Sequence, residues 1–255
     1  MTSVNAAPAP AAWEIPPALG PRGTVVLLPG RGEDPLLYER FGTRLAADAY
    51  RVRAVADPSR WPREAAAQVR EVLADADTVR PVVLAGSDAG ALFAVGLVAA
   101  GEVAVDALLL AGLPTDKDAD GAQSAEWEEE LGTRTACPTH QGRLAAAERL
   151  ERGALFRPLP PQWYDRAEFA KVAVPVLGLH GAADPVSPVD AARTAYTAAP
   201  RAELVTLADG RHDAFNDISH RSAAATVVLF LERLRQGADL APIATREPLP
   251  GQAAG

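Results

Sequence analysis

The chain has 255 residues, of which 48% are hydrophobic, and 25 Lys and Arg stand against 33 Asp and Glu for a net charge of −8. This length and composition predict one large domain with a sizeable core. The sequence contains no basic stripe or run, which argues against nucleic acid and anionic membranes as partners. The single cysteine, Cys137, excludes an intrachain disulfide framework, and we interpret it as an ordinary cap or core residue.

The two ends of the chain carry no recognisable targeting or membrane segment. The first ten residues lack a basic region followed by a continuous apolar run, so we expect no signal peptide. The longest apolar stretch, residues 89–100, is too short to span a bilayer. We therefore expect a cytoplasmic protein, in which residues 1–20 and 239–255 form flexible tails.

Apolar runs that alternate with helical patterns predict the fold class. The predicted elements are, in chain order, an edge strand at residues 12–15, a strand at 24–28, a helix at 35–49, a strand at 51–56, a helix at 62–76, a strand–turn–helix at 81–100, strands at 105–111, 174–179 and 204–208, and a helix at 219–235. This alternation predicts an α/β fold with a doubly wound, mostly parallel sheet that helices cover on both faces.

The strand–turn–helix at residues 81–100 is the segment around which the chain is organised. Read as glycine-x-nucleophile-x-glycine, residues 86–90 place Asp88 at the centre of a sharp turn. A second register centres Ser87 between two alanines, whose Cβ atoms a tight turn tolerates less well. A third interpretation is that Asp88 only caps the helix that begins near Ala89.

Two later loops carry residues that match this turn. Asp184 follows the strand at 174–179, and His212 follows the last predicted strand. The order nucleophile, acid, histidine, with each residue at the carboxyl end of a strand, resembles the α/β-hydrolase family. The resemblance covers about residues 24–235.

The resemblance implies a covalent mechanism. An ionised Asp88 attacks a saturated carbon to give an alkyl ester, and His212, oriented by Asp184, deprotonates the water that hydrolyses this ester. The backbone N–H groups of Arg31 and Ala89 are the implied oxyanion-hole donors. Aspartate nucleophiles in this family go with epoxide hydrolases and dehalogenases. The chain departs from dehalogenases, which usually have Trp where Ala89 stands. It departs from epoxide hydrolases as well, because their oxyanion loop usually reads His-Gly-x-Pro and residues 29–32 here read PGRG.

Two other functions stay open. Residues 28–33 and 38–41 resemble the start of monoacylglycerol-lipase-like hydrolases, which use serine. A carboxylesterase or thioesterase with Ser87 as the nucleophile is therefore the first alternative. The second is a scaffold that has lost hydrolysis and either binds a ligand or catalyses a non-hydrolytic step.

The alternation of strands and helices stops between residues 113 and 171, between the core segments 21–112 and 172–238. This stretch contains an acidic helix-like piece at 123–131 and a second predicted helix at 143–151. In the family such an insertion is a cap or lid, here a small one. The alternative is a long surface connection with no role toward substrate.

Five side chains are candidates for substrate binding: Arg31, Tyr38, Trp127, Trp163 and Tyr164. Arg31 would hold an anionic group of the substrate; the alternative interpretation is a solvated cation in a loop. The aromatic residues would line an apolar pocket or protonate a leaving group. Their alternative role is packing, with the two tryptophans anchoring the insertion to the sheet.

His180, Asp184, His212 and Asp213 together could suggest a metal site. His180, however, ends a strand before a glycine, a position where the family uses a structural histidine. We expect no metal and no cofactor. The expected partner is a small, fairly apolar organic substrate, and the sequence is compatible with a homodimer.

Overall fold

The computed structural model describes residues 6–115, 126–245 and 247. Within these residues one seven-stranded sheet forms, in the order β1-β3-β2-β4-β5-β6-β7. The strands are β1 (Ala11–Trp13), β2 (Gly23–Leu28), β3 (Tyr50–Ala54), β4 (Val82–Ser87), β5 (Ala107–Ala111), β6 (Val176–Gly181) and β7 (Ala202–Leu207). Only β1 at the edge runs antiparallel to its neighbour, so the predicted mostly parallel sheet is confirmed.

Eight α-helices accompany the sheet in the described residues: α1 (Glu39–Ala47), α2 (Pro62–Ala74), α3 (Ala89–Ala99), α4 (Trp127–Arg134), α5 (Pro138–Ala146), α6 (Pro161–Arg166), α7 (Val189–Thr197) and α8 (His220–Gln236). Short 3-10 turns lie at Pro35–Tyr38, Ala154–Phe156 and Phe169–Lys171. None of the helices in this part of the chain has the length and apolar character needed to cross a membrane.

Helices cover both faces of the sheet, as the sequence predicts. One hydrophobic cluster joins α1 and α8 to one face, and a second cluster joins α2, α3 and α7 to the other. The central strands β2, β4, β5 and β6 are buried along their whole length. Such continuous apolar strands are typical of a parallel sheet that is covered on both sides.

Three local predictions differ from the structure. The helix predicted at 143–151 overlaps α5 only at residues 143–146, because α5 begins at Pro138, where a proline in the first turn costs no hydrogen bond, and ends at Ala146. Helix α7 was not predicted, although Ala192 and Tyr196 are buried on one side of it. Strand β1 overlaps the edge strand predicted at 12–15 and lies within residues 1–20, which were also predicted as a tail. Part of the predicted acidic helix, residues 123–125, lies outside the described residues.

Between β5 and β6 the chain inserts α4, α5 and α6. Residues of the α4–α5 junction bind the loop after β7 through Asp217, whose carboxylate accepts hydrogen bonds from Thr135 Oγ1 (2.9 Å) and Ala136 N (2.6 Å). Asp217 also accepts the N–H of Arg211 at 2.6 Å. The insertion is thus attached to the carboxyl edge of the sheet, where the predicted site residues lie.

Candidate active site

Asp88 lies at the tip of the turn between β4 and α3. Its backbone has φ +48° and ψ −120°, a conformation that side chains other than glycine adopt only under strain. A Cβ atom at Gly86 would lie 2.3 Å from Gly90 O, and one at Gly90 would lie 2.1 Å from Leu28 O. The two glycines therefore permit the sharp turn. Asp88 lies midway between them, which places it at the tip.

Asp184 and His212 converge on Asp88 from the loops that follow β6 and β7. His212 Nδ1 is 2.8 Å from Asp184 Oδ2, and His212 Nε2 is 3.1 Å from Asp88 Oδ1. The second contact is close, but Nε2 is not aligned as a hydrogen bond. Asp184 also accepts the N–H groups of Val186 (2.8 Å) and Ser187 (3.1 Å), which hold its carboxylate in place. The three predicted residues thus form one continuous chain of contacts.

Arg31 covers the carboxylate of Asp88. Its Nε donates to Oδ2 at 2.8 Å and its Nη2 donates to Oδ1 at 2.8 Å, so the two groups form a bidentate pair. The backbone N–H of Arg31 also donates to Oδ2, at 2.9 Å. A third guanidinium nitrogen, Nη1, donates to the carbonyl of Arg157 in the insertion at 2.6 Å. The Arg31 side chain is buried, which excludes its interpretation as a solvated loop cation.

The protonation states follow from burial and from these charges. Burial alone would raise the pKa of Asp88, but the charges of Arg31 and His212 outweigh it and hold the pKa well below its usual range. Burial disfavours the charged form of His212, yet Asp184 and Asp88 raise its pKa to about 10. The pKa of Asp184 is lowered, because His212 and His180 outweigh its burial. The resting site therefore holds two carboxylates, one guanidinium and one imidazolium.

A second buried arginine, Arg134 at the end of α4, joins the insertion to the site. Its guanidinium pairs with Glu33 (2.7 Å) and Glu130 (2.8 Å) and donates to the carbonyl of Arg31 at 2.9 Å. Its own carbonyl accepts the N–H of Asp213 at 2.8 Å. Arg134 thus links the loop of Arg31 to the loop of His212. The sequence analysis missed it, although its spacing of four residues from Glu130 is typical of a helical ion pair.

Tyr38, a predicted substrate-binding residue, lies beneath the loop of Arg31 instead. It is fully buried, donates its hydroxyl proton to Glu33, and accepts the N–H of Gly30 at 3.1 Å. Burial raises the pKa of Tyr38 well above its usual value, so its proton stays on the phenol. The assignment to substrate binding is corrected, because these hydrogen bonds occupy its hydroxyl group.

Ser87, the alternative nucleophile, is the last residue of β4 and is buried. His212 approaches the neighbouring carboxylate of Asp88. The structure therefore brings the imidazole to Asp88.

The aromatic residues of the insertion pack on its neighbours. Trp163 lies against Phe93 of α3, with ring centroids 4.9 Å apart, and Tyr164 packs against the same hydrophobic cluster. Trp127 packs on the opposite cluster and lies 4.7 Å from the Arg152 guanidinium. These contacts anchor the insertion to the domain.

Two further predicted residues have clear positions. Ala89 is the first residue of α3, so its N–H has no acceptor within the helix and can donate to an oxyanion. His180 is buried, with Nε2 2.6 Å from Ser187 O and 3.2 Å from Asp184 Oδ2. It therefore holds the loop of Asp184. Within the described residues no three His, Cys, Asp or Glu side chains are grouped to hold a metal ion.

Comparisons with known proteins identify the architecture. No family model matches the chain, and no curated protein matches it. Among solved structures, a monoacylglycerol lipase from Paleococcus ferrophilus superposes with a TM-score of 0.69 at 16% identity, over 89% of this chain and 98% of the lipase. A thermostable carboxyl esterase from Bacillus coagulans gives 0.67 at 15% identity, over 89% and 94%.

An esterase from Rhodococcus sp. ECU1013 gives a TM-score of 0.59 at 23% identity, over 83% of this chain and 91% of the esterase. Identities this low show a shared fold and leave the reaction to be argued from the site itself. The sheet order, the helices on its two faces and these superpositions together show that the chain has the α/β-hydrolase fold.

Proposed function

We propose that the chain is a hydrolase that attacks a small organic substrate with the Asp88 carboxylate and passes through a covalent ester. His212 then activates water, and Asp184 orients His212. The observation that carries the proposal is the 3.1 Å contact between Asp88 Oδ1 and His212 Nε2 at the tip of the strained turn. The fold likeness to lipases and esterases supports hydrolysis as the reaction class.

The surroundings of the carboxylate suggest different roles for its two oxygens. Oδ2 accepts the backbone N–H of Arg31 at 2.9 Å, and Oδ1 faces His212. We assign Oδ1 as the attacking atom and Oδ2 as the carbonyl oxygen of the ester. When water adds to this ester, the negative charge develops on Oδ2. The N–H groups of Arg31 and Ala89 are the donors that would stabilise it.

Proton transfer can be followed for an epoxide, the substrate with the nearest named chemistry. Asp88 forms a carbon–oxygen bond, the ring carbon–oxygen bond breaks, and the alkoxide takes the proton of the His212 imidazolium. Esterification removes the Asp88 charge that helps to raise the His212 pKa, so the imidazole can now act as a base. It takes a proton from water as the hydroxide adds to the ester, and this proton returns to the departing alcohol. Proton transfer from the released Asp88 acid to His212 restores the resting state.

The pairing with Arg31 restricts the substrate. Esterification of Asp88 would leave the Arg31 guanidinium buried without its carboxylate, and breaking a buried pair in this way costs about 3–5 kcal/mol. An anionic group next to the reacting carbon would take the place of Asp88 on Arg31. We therefore expect epoxy acids and halo acids to react faster than neutral epoxides or haloalkanes of similar size.

A single turnover in water enriched with heavy oxygen tests the ester. Excess enzyme is mixed with an epoxy acid or a halo acid, and the peptide that contains Asp88 is analysed by mass spectrometry. We expect the label in the Asp88 carboxylate, and a trapped adduct of substrate mass in His212→Gln. Verified turnover without label in this peptide would reject the covalent ester. Asp88→Asn provides the control without a nucleophile.

A serine esterase is the second candidate, since carboxyl esterases are among the structural neighbours. A fluorophosphonate probe would then label Ser87, and Ser87→Ala would abolish the labelling. We expect no labelling, because His212, the general base that a serine nucleophile needs, faces the Asp88 carboxylate. The third candidate is a ligand-binding scaffold, which the stable pairing of Asp88 with Arg31 favours. It would show unchanged ligand affinity in an Asp88→Ala/His212→Ala variant and no turnover of any substrate tested.

A further inference from the structure

A groove of about 520 Å³ lies between α1, α5 and α8, and none of its lining residues belongs to the candidate active site. Four arginines and one histidine line it: Arg40, Arg44, Arg143, Arg221 and His220. Glu39 is the only carboxylate among the lining residues. This concentration of positive charge is unusual for a chain with a net charge of −8. The volume is within the range of small-molecule sites, about 300–1,000 Å³.

Carboxylates compensate only part of this charge. Glu39 pairs with Arg143 at 2.7 Å, and Arg44 is 3.8 Å from Asp48 outside the groove. Arg221 has no ion pair within the described residues. Among the described residues, the groove therefore holds cationic charge that no carboxylate compensates.

Arg40 is the second arginine that has no carboxylate partner within the described residues. Its Nη1 donates to Cys137 Sγ at 3.4 Å and its Nη2 donates to the carbonyl of Asn216. Its Nε is enclosed by protein and out of reach of a ligand in the groove. Arg40 as a whole is only partly buried, and Nη1 and Nη2 each keep a second N–H group that can donate to an anion.

The neighbouring imidazole responds to the same positive potential. The pKa of His220 is lowered, first by its partial burial and then by the charges of Arg40 and Arg221. This shift agrees with the geometry, in which several guanidinium groups face one space.

The groove also has an apolar part. Phe41 and Phe215 stack with ring centroids 4.4 Å apart and border the groove, although they are only 3% and 1% exposed. The exposed Ala47 adds to this apolar side, so a ligand would place an apolar body there and an anionic group among the arginines.

We propose that this groove binds a small phosphate monoester whose organic group is apolar. A phosphate dianion matches the two arginines that lack a carboxylate, Arg40 and Arg221, and guanidinium groups bind phosphate through paired N–H donors. The apolar group lies against Ala47 and the small exposed parts of Phe41 and Phe215. This proposal is independent of the reaction at Asp88.

Titration calorimetry with simple probes tests the site on the intact chain. We expect phenyl phosphate to bind, inorganic phosphate to bind more weakly, and benzyl alcohol not to bind at all. Benzoate, with one negative charge, should bind at least about tenfold more weakly than phenyl phosphate, the equivalent of one charged hydrogen bond. Benzoate binding as tight as that of phenyl phosphate, or no phenyl phosphate binding at millimolar concentration, would overturn the proposal.

Variants locate the binding. Arg221→Gln and Arg40→Gln should each weaken phenyl phosphate binding about tenfold or more. Arg221 is exposed, so its variant should fold even if the loss of Arg40 contacts disturbs the structure. Arg70→Gln is the matched control, because Arg70 is an exposed arginine on α2 at the opposite face of the sheet. Unchanged binding in Arg221→Gln would contradict the assignment.

Discussion

Two pairs of arginines near the loop that carries His212 differ in burial and in their pairing with carboxylates. Arg31 and Arg134 are buried and pair with carboxylates at 2.7–2.8 Å. Arg40 and Arg221 line an open groove and have no carboxylate partner within the described residues. Charges that are removed from water need partners, whereas charges at a groove stay hydrated until a ligand arrives. The first pair should therefore determine stability, and the second should determine binding.

Loss of Arg134 should have the largest effect on stability. Arg134→Met leaves Glu33 and Glu130 buried without a counter-charge, which should lower the free energy of unfolding by about 3–5 kcal/mol. Urea unfolding measures this change. The control Arg70→Met should stay within about 0.5 kcal/mol of the parent. If Arg134→Met lowers the free energy of unfolding by less than about 1 kcal/mol, the buried arginines do not determine stability as proposed.

The Arg31–Asp88 pair should show strong coupling in a double-mutant cycle. Arg31→Met and Asp88→Asn each leave one charged partner buried without the other. The double variant should therefore lose about 2–3 kcal/mol less free energy of unfolding than the two single variants lose together. Chemical unfolding of the four proteins gives the coupling free energy. Additive losses would mean that the bidentate contact contributes little.

The pH dependence of stability should reveal the imidazolium of His212. The pKa of His212 is raised from 6.5 to about 10 in the folded chain. The stabilisation that the protonated imidazole contributes to the free energy of unfolding is therefore fully present below pH 6.5 and is lost as the pH rises through 10. The free energy of unfolding should fall by about 1.4 kcal/mol per pH unit between pH 7 and 10 from this group.

The same titration in Asp88→Asn provides the comparison. Asp88 is one of the charges that raise the His212 pKa, so the variant should show a smaller loss with rising pH. The imidazole proton signals of His212, followed by NMR, should titrate near pH 10 in the parent and at lower pH in the variant. Titration of the parent near pH 6.5 would contradict the charged resting site.

Loss of a groove arginine should have the smallest effect. Arg221→Gln removes an exposed charge without an ion pair in the described part of the chain and reduces repulsion with Arg40. The free energy of unfolding should change by no more than about 0.5 kcal/mol. Thermal unfolding checks this value. Destabilisation above about 1 kcal/mol would show that the groove charges serve the fold.

Sequence patterns predicted the strands and the convergence of three candidate site residues. Asp88, Asp184 and His212 each follow an apolar run, and parallel strands bring their carboxyl ends to one edge of the sheet. The spacing of Gly86 and Gly90 likewise indicates the sharp turn, because a Cβ atom at either position would collide with backbone.

Residues in loops and in the insertion were predicted less well. The direction of the Arg31 side chain depends on Asp88, which lies 57 residues further along the chain. In the sequence, Tyr38 is an aromatic residue just after the oxyanion loop. Only the tertiary structure shows that its hydroxyl donates to Glu33 and accepts the N–H of Gly30. Arg134 lies on a short, highly charged helix whose pattern suggests solvent exposure.

The sequence alone determined the layered architecture and the sheet edge at which Asp88, Asp184 and His212 meet, because strand periodicity and turn glycines are local properties. Only the tertiary structure decided which charges meet: Arg31 with Asp88, Arg134 with Glu33 and Glu130, and the four arginines that line the groove between α1, α5 and α8. Charge pairing between distant segments depends on their final distance and burial, and no local pattern carries that information.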